Sequence, residues 1–270
     1  MKNIGIIGFG NMGEAFASGL KNKLTGISFG VADKAAARAE IAHKNYGAID
    51  FTGKPGALLD FADITIIAVK PQDAAEILRE LAPHSAGKKF AALIAGKPLE
   101  FYAAILKTPY IARFMPSIAA MYQKAAVGVA FRAGDPADAG FAAFRAEALE
   151  LAAAAGEALE IPEKLMAVIT AMSGSGIAFA FSFIHALALG GVKGGLAYDK
   201  ALGVAVQVAE GAAAVLRGTG MSPAELITKV CSPAGTTIAG IQALEESAFT
   251  AAVMRAVEEA TCRAEELEGA

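Results

Sequence analysis

The stretch that most constrains this chain lies near its amino end, where Gly8-Phe9-Gly10-Asn11-Met12-Gly13 follows directly on the apolar run Ile4-Gly5-Ile6-Ile7. A GxGxxG string alone is a weak signal. Between a buried strand and a helix it is a demanding one. The first glycine permits a tight turn, the second lets the backbone approach a pyrophosphate, and the third lets helix and strand pack closely. The helix start then presents unpaired amides to an anion. The plainer alternative is a glycine-rich turn with no ligand. The motif makes Gly8, Phe9, Gly10, Asn11, Met12 and Gly13 candidate dinucleotide-binding residues.

The pattern downstream fits that context. Residues 3–9, 27–32, 64–69, 90–95 and 110–114 read as strands, and 12–22 and 34–44 as helices. The continuous apolar run Ile64–Val69, followed by Lys70-Pro71, is typical of a central parallel strand. Strand and helix in alternation predict an α/β doubly wound sheet, a Rossmann domain over residues 1–161. At Ile161-Pro162-Glu163 the texture changes, and the rest reads as helical: 163–190, 197–217, 222–230, 236–246 and 249–268. The second domain, 162–270, is therefore expected to be all-α. Ser222-Pro223-Ala224-Glu225 reads as a capping box with proline at the first helical position.

Composition narrows the functional classes. The net charge is −3 with no basic patch, which disfavours nucleic-acid binding. Two distant cysteines, Cys231 and Cys262, and three scattered histidines suggest neither a disulfide framework nor a metal centre, and fit a reducing cytoplasm. The amino end does not read as a secretory signal. Residues 174–192 nearly reach the roughly 20 apolar residues a bilayer span needs. They include His185 and several Ser and Gly, so a buried helix at a subunit contact is the expectation rather than a membrane span.

Three further strings carry possible chemistry. Asp33 lies 20 residues past Gly13, where an acid can accept from a ribose 2′-OH and repel a 2′-phosphate; Lys34 beside it can neutralise that phosphate. Asp33 can equally serve as the N-cap of a helix from residue 34. Ala68-Val69-Lys70-Pro71, Ala95-Gly96 and Arg113-Phe114-Met115-Pro116-Ser117 end successive strands, where ligands bind in open α/β sheets. In Cys231-Ser232-Pro233-Ala234-Gly235-Thr236-Thr237, the Ser232 hydroxyl and the amides of Gly235, Thr236 and Thr237 can form a carboxylate site at a helix start, or serve only as caps.

Taken together, these strings resemble the 1-pyrroline-5-carboxylate reductase family. The likeness runs over almost the whole chain. It includes the glycine motif, Ala68-Val69-Lys70-Pro71-Gln72, Met115-Pro116, Ser173-Gly174-Ser175-Gly176 and, most specifically, the stretch from Val230 through Ser232–Thr237 to Leu244-Glu245. The resemblance implies a Rossmann domain followed by a helical dimerisation domain, and an obligate homodimer often assembled into a decamer. It implies NADPH or NADH as the hydride donor, reduction of a cyclic imine to proline, and an active site between the nicotinamide and the Ser232 loop at the subunit boundary. Ser232, Gly235, Thr236 and Thr237 would hold the substrate carboxylate, and the Thr237 hydroxyl would donate or relay the proton to the ring nitrogen.

The chain departs from the family pattern at Asp33-Lys34, Lys54-Pro55-Gly56, Ser117-Ile118-Ala119, Ile177 and Ala234. Those changes leave the choice of NADPH or NADH open. They also leave room for a related reductase of a six-membered cyclic imino acid or a 3-hydroxy acid, or for a non-catalytic dinucleotide sensor. A 3-hydroxy-acid enzyme would want a lysine in a glycine-rich setting on the first long helix; Lys164 lacks that setting.

Overall fold

The computed structural model describes residues 2–132 and 138–269. The chain forms two compact units, one of Met1–Ser175 with Glu259–Ala270, the other of Gly176–Glu258. The compact division thus falls later than the change of composition at Pro162.

The first unit is built on eight strands: β1 (Lys2–Ile7), β2 (Ile27–Ala32), β3 (Ile49–Asp50), β4 (Ile64–Ile67), β5 (Phe90–Ala92), β6 (Ile111–Met115), β7 (Ala125–Phe131) and β8 (Gly156–Glu160). Their order is β3-β2-β1-β4-β5-β6-β7-β8. Neighbours run parallel except β6 and β7. The chain adds β2 and β3 on one side of β1 and then returns to lay β4 on the other. That reversal leaves a crevice at the carboxyl ends of β1 and β4.

Helices cover both faces: α1 (Asn11–Lys23), α2 (Ala36–Tyr46), α3 (Pro55–Phe61), α4 (Ala74–Leu81), α5 (Leu99–Ala103) and α6 (Ala139–Ala154). On one face Ile4 and Ile6 of β1 pack with Phe16, Leu20 and Phe144. On the other, Ile7 packs with Leu58, Leu59 and Leu78. Gly5 and Gly30 are register partners, and a Cβ on Gly30 would come within 2.8 Å of Leu58 and Phe61. Two bare positions side by side therefore seat α3 directly on the sheet.

Several elements are not evident in the sequence pattern. β3 has two residues and α3 seven, too short for a periodic signal. β7 reads Ala-Ala-Val-Gly-Val-Ala-Phe, weakened by small residues, and α6 is so rich in alanine that no stripe stands out. The single helix expected over 163–190 is broken. A 3-10 turn (Glu163–Leu165) leads into α7 (Met166–Ile169), a π-helical segment (Thr170–Ser175) and α8 (Gly176–Lys193). The Thr170 and Ser173 hydroxyls donate back to the carbonyls of Met166 and Ile169. With Gly174 and Gly176 adding flexibility, the regular ladder gives way there.

The second unit holds α8, α9 (Tyr198–Thr219), α10 (Pro223–Val230), α11 (Thr236–Glu246) and most of α12 (Phe249–Gly269), whose last turns belong to the first unit. Small residues bring α8 and α9 together: Ala188, Ala201 and Ala205 are buried, and a Cβ on Gly191 would lie 3.0 Å from the Ala201 methyl. The capping box opens α10 as expected, with Ser222 and Glu225 bonded reciprocally. Large apolar side chains on this pair stay exposed, among them Phe181 (56%) and Val204 (57%). Glu163–Lys193 and Tyr198–Thr219 are both long and apolar enough to cross a membrane by length and composition. An apolar helix surface of this kind requires a cover.

Candidate active site

The crevice at the strand ends is a groove of about 850 Å³ over the glycine turn, and it belongs wholly to the first unit. Its floor follows from the three glycines. Gly8 has φ +88°, and a Cβ there would lie 2.7 Å from the Ala68 carbonyl oxygen, so only glycine fits between β1 and β4. A Cβ on Gly13 would lie 2.2 Å from the Gly8 carbonyl oxygen, which fixes how closely α1 sits under the turn. A Cβ on Gly10 would meet nothing within 4 Å. Gly10 is the N-cap of α1 and has no side-chain cap, so the first amides of the helix face open space. An open N-terminus of a 13-residue helix beneath a groove suits a pyrophosphate.

Of the residues singled out in the sequence, Gly8, Gly10, Asn11, Met12, Asp33, Lys34, Ala68, Val69, Lys70, Pro71 and Ala95 line this groove. Phe9, Gly13 and Gly96 do not. The Phe9 ring is fully buried and packs edge-on against Tyr46. Gly13 serves packing. Gly96 lies under the end of α12, where a Cβ would approach the Leu267 carbonyl oxygen to 3.0 Å.

Asp33 is not a helix cap in the expected sense. α2 starts at Ala36 with Ala35 as its N-cap. Instead, Oδ2 of Asp33 accepts from the Phe9 amide at 2.6 Å and Oδ1 from the Ala35 amide at 2.8 Å. The carboxylate thus ties the end of β2 to the glycine turn. Lys34 reaches across to Asp73 in the 3-10 turn after β4, Nζ to Oδ2 2.8 Å. The Asp73 carboxylate, through a hydrogen bond and its charge, raises the Lys34 pKa.

Sequence reasoning passed over Arg38 and Asp73, both in the groove wall. A signal for Arg38 existed: it is a cation in the first turn of α2, where the helix dipole disfavours one. It is held there by the carboxylate of Glu14 at 3.2 Å and the amide oxygen of Asn11 at 3.3 Å. At the far end Met115 and Pro116 close the groove. Behind them Arg113, only 1% exposed, is paired with Glu163 and Glu268. Glu163 also accepts the Leu99 amide at 2.6 Å. Burial pushes the nearby Tyr102 phenol upward. Among the described residues no cluster of His, Cys, Asp and Glu is arranged to hold a metal.

The second unit carries the other predicted residues. Ser232–Gly235 form a tight turn before α11, closed by the Gly235 amide donating to the Ser232 carbonyl at 3.0 Å. That amide is engaged, so the expectation that Gly235 offers it to an anion is corrected. The amides of Thr236 and Thr237, at the first two positions of α11, have no intrahelical acceptor. Gly235 contributes by its bareness, since a Cβ there would lie 2.2 Å from the Ser232 hydroxyl oxygen. Ala234 holds φ +55°, a left-handed conformation more usual for glycine.

The sheet order, the glycine turn under an open helix start and the acid at the end of β2 define a dinucleotide-binding protein of the Rossmann class. Residues 3–94 match the family model described as NADP oxidoreductase, coenzyme F420-dependent, and residues 163–267 match that of pyrroline-5-carboxylate reductase dimerisation. The chain is 37% identical to the pyrroline-5-carboxylate reductase of Aquifex aeolicus, covering 98% of this chain and 97% of that one. It is 38% identical to that of Methanosarcina acetivorans, covering 98% of each. Its fold matches the structure of a pyrroline-5-carboxylate reductase from Coxiella burnetii with a TM-score of 0.89 at 26% identity, over 98% of both chains. The chain belongs to the pyrroline-5-carboxylate reductase family. Its helical part matches the dimerisation domain of that family.

Proposed function

We propose that this chain reduces 1-pyrroline-5-carboxylate to proline, the last step of proline biosynthesis. The observation that carries the reading, beyond family membership, is the Ser232–Thr237 turn. Two helix-terminal amides without an intrahelical acceptor and the hydroxyl side chains of Ser232, Thr236 and Thr237 flank one helix start, a donor set matched to a carboxylate. NAD(P)H, when bound, supplies the hydride that adds to the imine carbon. The protein's own part is positioning and one proton. The amides of Thr236 and Thr237 and the Ser232 hydroxyl hold the substrate carboxylate. The Thr237 hydroxyl donates or relays the proton to the ring nitrogen, making that carbon electrophilic as the C=N double bond becomes C–N. Under the groove, Gly8 and Gly10 let the backbone approach the cofactor pyrophosphate at the start of α1.

The working molecule is a homodimer joined through residues 162–270, capable of further assembly to a decamer, and acting in the cytoplasm. The apolar faces of α8 and α9 are covered by a second copy rather than by lipid.

The test follows NAD(P)H oxidation optically with 1-pyrroline-5-carboxylate. Wild type should turn over. Thr237→Ala should lower kcat by about 10²-fold or more, the scale of a lost proton donor, while cofactor affinity holds and Thr237→Ser restores most of the rate. Oxidation only with a six-membered imine, or a Thr237→Ala variant at wild-type speed, would refute the assignment. A monomeric mass by sedimentation would refute the dimer.

A further inference from the structure

The chemistry at the adenosine end of the groove distinguishes two cofactors that differ by one phosphate. NADH presents a free 2′,3′-diol there, NADPH a 2′-phosphate. Asp33 is the group best placed to feel the difference. Each of its carboxylate oxygens already accepts one backbone amide, from Phe9 and from Ala35. Each oxygen retains acceptor capacity, so the carboxylate can take two hydroxyl donors and has nothing to offer an anion. Among the described residues no cation pairs with it.

The two cations beside it are both committed. Lys34 is bonded to Asp73 at 2.8 Å, with Asp33 and Glu76 adding negative charge around it. The Arg38 guanidinium spends one nitrogen on Glu14 and another on Asn11, both on α1. Along the groove wall the acids Asp33, Asp73, Glu76 and Glu80 outnumber the cations Lys34, Arg38 and Lys70. A 2′-phosphate arriving here meets the Asp33 carboxylate and has to share Lys34 with Asp73 and Arg38 with Glu14 and Asn11. A diol needs neither.

We propose that this chain prefers NADH to NADPH, with Asp33 as the discriminating residue and Asp73 as the acid that holds Lys34 away from a 2′-phosphate. The proposal rests on the groove being the dinucleotide site. It goes further by assigning the preference, and it gives Asp73, on the opposite side of the crevice from Asp33, a part in it.

The test is direct titration of the purified dimer with each reduced cofactor, followed by nicotinamide fluorescence and without imine. Wild type should bind NADH at least about tenfold more tightly than NADPH, the scale expected when like charges are juxtaposed. Asp33→Ser should collapse or invert that ratio. Because Asp33 also anchors the glycine turn, Asp73→Asn provides an independent arm. It leaves the turn intact and releases Lys34, so the ratio should fall several-fold through tighter NADPH binding, and Lys34→Ala on that background should reverse the gain. Equal or tighter NADPH binding by wild type overturns the proposal while leaving the dinucleotide site standing. So does an unchanged ratio in both Asp33→Ser and Asp73→Asn. Failure of both cofactors to bind overturns the proposal and the dinucleotide site together.

Discussion

Replacing Gly10 by alanine should separate the fold of this protein from its cofactor binding. At Gly10 the backbone is at φ −73°, which alanine adopts freely, and the added Cβ meets no protein atom within 4 Å. The folded chain therefore has no reason to lose stability. The methyl group instead stands in the space through which the pyrophosphate must approach the first amides of α1. Losing one charge-assisted hydrogen bond costs about 1.5–3 kcal/mol, or roughly 10- to 100-fold in affinity. The contrast is Gly13→Ala, whose Cβ would sit 2.2 Å from the Gly8 carbonyl oxygen. The turn cannot yield easily, because the Gly8 amide is bonded to Ala32 at 2.9 Å and the Phe9 amide to Asp33 at 2.6 Å. Overpacking costs about 1–3 kcal/mol, less about 1 kcal/mol recovered in helix propensity. Thermal unfolding and fluorescence titration of NADH read both properties. Gly10→Ala should keep its Tm and lose affinity; Gly13→Ala should lose both. A Gly10→Ala protein that binds NADH as tightly as wild type would refute the placement of the pyrophosphate at this helix start.

Other substitutions test the supporting structure. Ala234→Gly relieves a left-handed alanine worth about 1–2 kcal/mol but adds unfolded-state entropy of about 0.4–1 kcal/mol; chemical denaturation should show a gain of up to about 1.6 kcal/mol, and a loss would contradict it. Glu163→Ala should destabilise more than Glu268→Ala, by about 1 kcal/mol, since Glu163 holds the Leu99 amide as well as Arg113; equal denaturation midpoints would count against that order. Glu225 accepts from the Ser222 amide and hydroxyl, which lower its pKa. Its stabilising effect is thus complete above the ordinary carboxylate range near 4.3 and lost as pH falls below it. Stability curves of wild type and Glu225→Gln should converge in acid, and a constant gap down to the lowest pH would refute the role.

The Rossmann half was legible because its information is local. Glycines at three fixed positions, a buried apolar strand and a proline after β4 each state their own geometry, and alternating strand and helix state a doubly wound sheet, though not its short strand β3, its strand β7 or the antiparallel β6–β7 pair. The starts of α10 and α11 were legible for the same reason, as were the hydroxyls of Ser232 and Thr237 at a helix entry. Some features depend on contacts distant in sequence. Phe9 and Gly13 belong to the glycine motif yet face the core, because the Phe9 ring packs against Tyr46 and Gly13 sits against the Gly8 carbonyl. The tie from Asp33 to the Phe9 amide, the reach of Lys34 to Asp73 and the hold of Glu14 on Arg38 join residues 24 or more apart. No periodicity records such pairs. The engaged Gly235 amide is a turn hydrogen bond that residue types alone do not reveal. Residue types stated which groups could meet a dinucleotide and a carboxylate; only the folded backbone decided which donors, acceptors and charges were still free to do so, because each is settled by partners the chain brings from elsewhere.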